Sequence, residues 1–186
     1  MFRSLSGFLL LALLLGAGCG GSSSDSPARP ATDDLGRSVS VEAPVRRVVS
    51  LAPNLTEIAY AAAAGSTLVA VTKSGDFPPS VDTLPHVGAL PVDFEAIAAQ
   101  EPGLVLATDQ INAPADTETF EALGLPIYFF SFDTLGDIPA SIRTVGRLLG
   151  TRAAAQDSAA ALERAIERLR ARTAPIPDDQ RPRVLV

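Results

Sequence analysis

Apolar and polar positions change period several times along this chain, and each change marks an element. Arg47-Val48-Val49-Ser50-Leu51-Ala52 is a nearly continuous apolar run, which predicts a buried strand. Pro53-Asn54-Leu55-Thr56-Glu57 follows. Asn54 with Glu57 three residues later has the form of a capping box, so the sequence predicts a helix from there through Ile58 and the alanines to Gly65. Thr67 to Val71 is a second β-rich run. Lys73 to Pro91 is rich in proline and glycine and predicts a long loop with room for one helical turn.

Asp93 is placed to cap a short helix carrying Phe94 and Ile97. Leu104 to Ala107 and Ile127 to Phe130 read as a third and a fourth strand. A helix through Phe120 to Leu123 separates them and ends at Gly124, and another runs from Ile138 to Leu149 and ends at Gly150. Strands alternating with helices at this spacing predict an α/β fold with a mainly parallel sheet flanked by helices. Ligands of such sheets sit beyond the carboxyl ends of the strands. Here those ends are the loops at Ala52-Pro53-Asn54, Thr72-Lys73-Ser74, Thr108-Asp109 and Ser131-Phe132.

Both ends of the chain break this rhythm. Asp33-Asp34-Leu35-Gly36-Arg37 is a turn signal and predicts a small hairpin leading into the domain. Ala153 to Arg172 lacks proline and glycine and places Leu162, Ile166 and Leu169 on one helical face, a rod of roughly 30 Å. Pro175-Ile176-Pro177 stops it, and Arg183 to Val186 has the pattern of a new strand.

At the N-terminus, Arg3, the apolar run Phe8 to Leu15 and the small residues Gly16-Ala17-Gly18 have the order of a secretory signal, residues 1–18. The run is too short to span a bilayer, which takes about 20 apolar residues. Cys19 is the single cysteine, so no internal disulfide forms. Its position after small residues resembles a bacterial lipoprotein box and makes it the candidate lipidation site; an ordinary signal that contains a cysteine is the alternative. Residues 19–31, rich in Gly, Ser and Pro, read as a flexible linker. The remaining residues, about 155, make one domain by length.

The formal net charge of −6 argues against a nucleic-acid partner, which needs a basic face. His86 is the single histidine, so no histidine cluster for a metal is available. No nucleophile elbow or phosphate-cradling glycine loop occurs, and the sequence does not read as an enzyme.

In order and spacing, Asp33 to Arg37, Arg47 to Glu57, Gly75-Asp76-Phe77-Pro78-Pro79, Phe94-Glu95-Ala96-Ile97 and Glu101 to Ala107 resemble one known family. It is the periplasmic binding proteins that serve cobalamin, haem and ferric-siderophore ABC importers. The resemblance implies a two-lobed fold joined by one long backbone helix, with the ligand in the cleft between lobes. Residues 32–150 would be the N-terminal lobe, 151–174 the backbone helix and 182–186 the start of a second lobe cut short by truncation. It implies a small-molecule ligand, either a metal chelate or a corrinoid, an ABC permease as partner, no cofactor, and a monomer held at the periplasmic or outer face of the cell membrane. Pro53, Asn54, Ser74, Asp76, Phe77, Leu90 and Thr108 are the implied ligand-binding positions, and Glu95 the implied permease contact. Ser74, Leu90 and Thr108 stand where cobalamin-binding relatives place aromatic side chains, which argues against a corrinoid. Weak cobalamin binding is expected of this chain because half a cleft buries far less of a ligand than a closed one. Two other classes stay open: a single-lobe interaction or sensor lipoprotein without transport, and an exported α/β enzyme.

Overall fold

The computed structural model of the chain describes residues 29–183. The signal, Cys19 and residues 184–186 of the terminal strand pattern lie outside the described residues.

The hairpin is formed by β1 (Arg29–Thr32) and β2 (Ser38–Val41), antiparallel, with Gly36 at φ 79° in the connecting turn. Glycine suits that turn because a side chain there would be strained. Residues 29–31, expected in the linker, instead belong to β1, where Arg29 pairs with Val41.

The main sheet contains β3 (Val48–Ser50), β4 (Leu68–Thr72), β5 (His86–Val87), β6 (Leu104–Thr108) and β7 (Ile127–Phe130). Its order is β5-β4-β3-β6-β7, and every neighbouring pair is parallel. The chain winds outward through β4 and β5, then returns past β3 to build β6 and β7. The topological switch point falls between β3 and β6.

Side chains alternate across the sheet as a pleat requires. Leu104, Leu106, Tyr128 and Phe130 face α1 (Pro53–Ala61), α4 (Asp137–Leu148) and α5 (Arg152–Thr173). Val105, Ala107, Ile127 and Phe129 face α2 (Phe94–Ala98) and α3 (Thr117–Ala122). Each fully buried Leu or Phe of these layers contributes about 1.5–3 kcal/mol of burial.

The start of α1 corrects the capping box. The helix begins at Pro53, with Ala52 in extended conformation as the residue before it, and Asn54 makes no capping bond. Proline fixes φ and has no N–H to satisfy, so it takes the first helical position and moves the boundary ahead of Asn54. The end is also earlier than Gly65. The helix stops at Ala61, and Ala63 takes the left-handed conformation at φ 56°.

Asp93 does cap α2, its Oδ1 accepting from the Ala96 N–H at 3.0 Å. Within the proline-rich stretch, Pro79–Thr83 forms a 3₁₀ turn and His86–Val87 adds the edge strand β5, which the pattern did not announce. Two residues are too few for a period to be read. On α5 the predicted apolar face is only partly used. Ala155 and Ala159 are buried and Leu162 packs against the core, whereas Leu169 is exposed. Among the described residues no helix is long and apolar enough to cross a membrane.

The hairpin is locked to the sheet by a buried charge. The Asp33 carboxylate accepts from the Leu35 and Arg37 backbone N–H groups, from the Arg37 guanidinium and from the Phe129 N–H. The Arg37 guanidinium also donates to Thr117 Oγ1 and the Ile127 carbonyl and lies 5.0 Å from the centre of the Phe129 ring. The Asp34 N–H donates to the Phe129 carbonyl. The turn thus satisfies backbone groups of β7, the edge strand on that side of the sheet.

Candidate functional site

A groove of about 820 Å³ lies at the carboxyl end of the sheet, on the α1 side. Its volume falls within the range of small-molecule pockets. Asn54, Glu57, Ile58, Tyr60 and Ala61 line it from α1, and Phe77 and Pro78 from the loop after β4. Phe132 to Leu135 line it from the loop after β7, with Ile138 and Ile142 of α4 and Leu162 of α5 behind. A smaller depression of about 390 Å³ is formed by Leu90 to Val92 and the loop after β6.

These loops are braced against one another. Gln110 Nε2 donates to the Phe132 carbonyl at 2.8 Å, and Asn112 Nδ2 to the Ala89 carbonyl at 3.0 Å. Ser131 Oγ donates to Asp109 Oδ2 at 2.6 Å. The Asp137 carboxylate accepts from the Asp133 and Thr134 N–H groups and the Thr134 hydroxyl, which fixes the turn that carries Leu135. Those bonds hold the Asp137 carboxyl below the usual carboxylate range. Asp34 runs the other way: burial raises its pKa, partly offset by the Ser131 N–H, with Asp33, Asp137 and Asp109 adding to the rise.

On the opposite wall, the Ser80 hydroxyl donates to Tyr60 Oη at 2.9 Å and ties the 3₁₀ turn, and with it Phe77-Pro78, to α1. The Tyr60 ring in turn lies over Gly65, where a Cβ would come within 2.5 Å of it.

The sequence-derived positions separate in space. Asn54 and Phe77 line the groove, and Leu90 lines the smaller depression. Pro53 is half-buried at the start of α1 beside the groove. Ser74 and Asp76 are exposed on the loop after β4 and line neither hollow. Thr108 is 1% exposed, with its hydroxyl accepting from the Gln110 N–H. That side chain supports the loop from beneath and is not presented to a ligand. Glu95 is exposed in the first turn of α2.

Sequence reasoning missed Tyr60 and Leu135 and placed Phe132 in a strand-end loop without naming it as a ligand position. A signal for Phe132 existed: Tyr128, Phe130 and Phe132 alternate along β7 and its extension. Their rings form a row, 4.8 Å and 6.4 Å between successive centres, that leads from the core into the groove. Phe77, Leu90 and Leu135 are 58%, 80% and 60% exposed on this end of the molecule. Apolar exposure of that size beside a groove marks a surface that takes a ligand or a partner.

The family model described as periplasmic binding protein matches residues 48–186. A vitamin B12-binding protein of Pectobacterium carotovorum subsp. carotovorum (strain PC1) is 36% identical over 126 residues, which are 67% of this chain and 46% of that protein. The crystal structure of the periplasmic vitamin B12 binding protein of Vibrio cholerae aligns with TM-score 0.67 at 32% identity. That alignment covers 71% of this chain and 52% of that one. The periplasmic heme-binding protein of Roseiflexus sp. RS-1 aligns with TM-score 0.64 at 28% identity, over 72% and 52% of the two chains. The chain spans about half the length of the relatives it matches.

Proposed function

Because this chain belongs to the periplasmic binding protein family, we propose that it is a ligand-binding lobe of the substrate-binding component of an ABC importer. In this reading it works in the periplasm or at the outer face of the cell membrane, tethered through a lipid on Cys19. It captures a corrinoid or a metal chelate, such as haem or a ferric siderophore, for delivery to a permease. The observation that carries the reading is the place of the groove. It opens at the carboxyl ends of a doubly wound parallel sheet, where such sheets take ligands, and it is walled by exposed apolar side chains.

In a two-lobed binding protein this face is one wall of the cleft, and α5 is the helix that leaves the lobe. One wall buries much less of a ligand than a closed cleft, so the affinity of this chain is expected to be low. Hydrogen exchange with millimolar cyanocobalamin, haem or a ferric siderophore tests the reading. Slower exchange is expected in peptides containing Asn54 and Phe77 with at least one of them. Unchanged exchange at both with all three ligands overturns it.

Two finer parts have their own tests. Incorporation of a labelled fatty acid into the chain, abolished by Cys19→Ser, is expected of the tether, and incorporation by the variant removes it. Glu95, on the first turn of α2, is the proposed contact for permease arginines. In a transport-competent form, Glu95→Arg is expected to lower uptake and leave ligand affinity unchanged. Unaltered uptake removes that role.

A further inference from the structure

The loops that follow the strands of the main sheet carry Asp76, Asp82, Asp93, Asp109, Asp116 and Asp133, and their one basic residue is Lys73. The two hollows repeat the bias. Glu57 and Asp133 are the charged side chains of the groove, Asp109 and Asp116 those of the smaller depression, and no Arg or Lys lines either. Ion pairing does not cancel this charge. Among the described residues the ion pairs are Arg37–Asp33, Arg143–Glu163 and Arg181–Asp178, and none involves a carboxylate of either hollow. Arginines sit at the other end of the sheet, where Arg46 and Arg47 precede β3, and along α4 and α5.

The apolar side chains of Phe77, Phe132 and Leu135 line the same groove as Glu57 and Asp133. A ligand seated on those side chains places its rim beside Glu57 and Asp133. Rim groups that are amides, hydroxyls or cations find acceptors there. Rim groups that are carboxylates, sulfonates or ionised catechols meet like charge without a counter-cation, which is an element that discriminates by repulsion. The same field attracts cations and slows the approach of anions before contact.

We infer that this face selects amphipathic small molecules of zero or positive net charge and rejects polyanionic ones. The inference rests on the reading of the groove as the ligand face. It divides the ligands of the relatives: a corrinoid rimmed by amides fits it, and a macrocycle with free carboxylates does not.

Two water-soluble porphyrins that share one macrocycle test it, one bearing cationic N-methylpyridinium groups and the other anionic sulfonatophenyl groups. Backbone amide shifts of the isotope-labelled chain are followed during titration with each. At low salt the cationic porphyrin is expected to shift the amides of Phe77, Asp133 and Leu135 and to bind at least about tenfold more tightly than the anionic one. The gap is expected to narrow at high salt and in the double variant Glu57→Gln, Asp133→Asn, both exposed positions whose change spares the core.

Equal binding of the two at the groove, or preference for the anion, overturns the charge inference and leaves the groove standing as a ligand face. Shifts confined to other surfaces, or none with either porphyrin, remove the groove as a ligand face and the inference with it. A gap that the double variant leaves unchanged also overturns it.

Discussion

Gly146 of α4 stands directly against Ala155 of α5, with no room for another carbon between them. A Cβ added at Gly146 would meet the Ala155 methyl and approach the Thr151 carbonyl at 3.4 Å. This contact sets how closely the long helix lies on the domain.

Gly146→Ala is therefore expected to destabilise the fold by about 1–2 kcal/mol, because overpacking exceeds the gain of up to about 1 kcal/mol that alanine brings to a helix interior. Urea unfolding of the two proteins measures it. A stabilised variant would show that the helices separate at no cost.

Asp33 is fully buried at its side chain and satisfies the hairpin turn, Arg37 and the Phe129 N–H together. Asp33→Ala leaves a half-buried guanidinium without its counter-charge, at about 3 kcal/mol. The hairpin should detach from β7 first. Faster amide exchange of Phe129 than of Leu106 in the variant is the expected sign, and equal protection of the two speaks against it.

Tyr60 is held between Gly65 and Ser80. Gly65→Ala is expected to tilt the ring, break its bond to Ser80 and move the Phe77-Pro78 wall, with a stability loss of about 1 kcal/mol or more. Ser80→Ala removes one exposed hydrogen bond and is expected to change stability by no more than about 0.5 kcal/mol. Amide shifts at Phe77 that are the same in both variants would contradict this.

The Asp137 carboxyl has a folded pKa below its ordinary value of 3.8 because the Asp133–Thr134 turn donates hydrogen bonds to the carboxylate. Its contribution to stability is present above 3.8 and is lost as pH falls through the lower, folded value. Acidification through that window should loosen the turn carrying Leu135, seen as accelerated exchange of the Thr134 amide after correction for intrinsic rates. Asp137→Asn should abolish the pH dependence, and its persistence in the variant would assign it elsewhere.

The Tyr128 phenol is pushed up to about 12, first by burial and then by the negative charge of Asp34, and it donates to the Thr32 carbonyl at 2.7 Å. A folded value above the ordinary 10.0 means that this stabilisation is present below pH 10 and is lost as pH rises toward 12. In Tyr60→Phe, where Tyr128 is the remaining tyrosine of the chain, absorbance at the tyrosinate band should titrate near 12. A midpoint near 10 in the folded protein would show that the phenol is solvated.

Alternation of apolar runs with helical patterns was enough to read a parallel α/β domain, its four longer strands and the long terminal helix, because those signals depend on neighbours a few residues apart. Pro53 defeated the reading of Asn54 as a cap, since the ring's fixed φ outranks a side-chain bond in setting where a helix starts. The two residues of β5 carry no period at all and gain their strand conformation from β4. Thr108, read from the sequence as the first loop residue, instead closes β6, and the loop that follows folds back over it.

The sequence by itself determined the strand–helix order, and hence that any ligand face would lie in the loops after the strands. Only the tertiary structure decided that Asn54, Tyr60, Phe77, Phe132 and Leu135 share one groove, and that Glu57 and Asp133, which line it, form no ion pair among the described residues. Those neighbours lie far apart along the chain. Which of them meet is set by the order β5-β4-β3-β6-β7 and by the close contact of α4 with α5, neither of which any local period encodes.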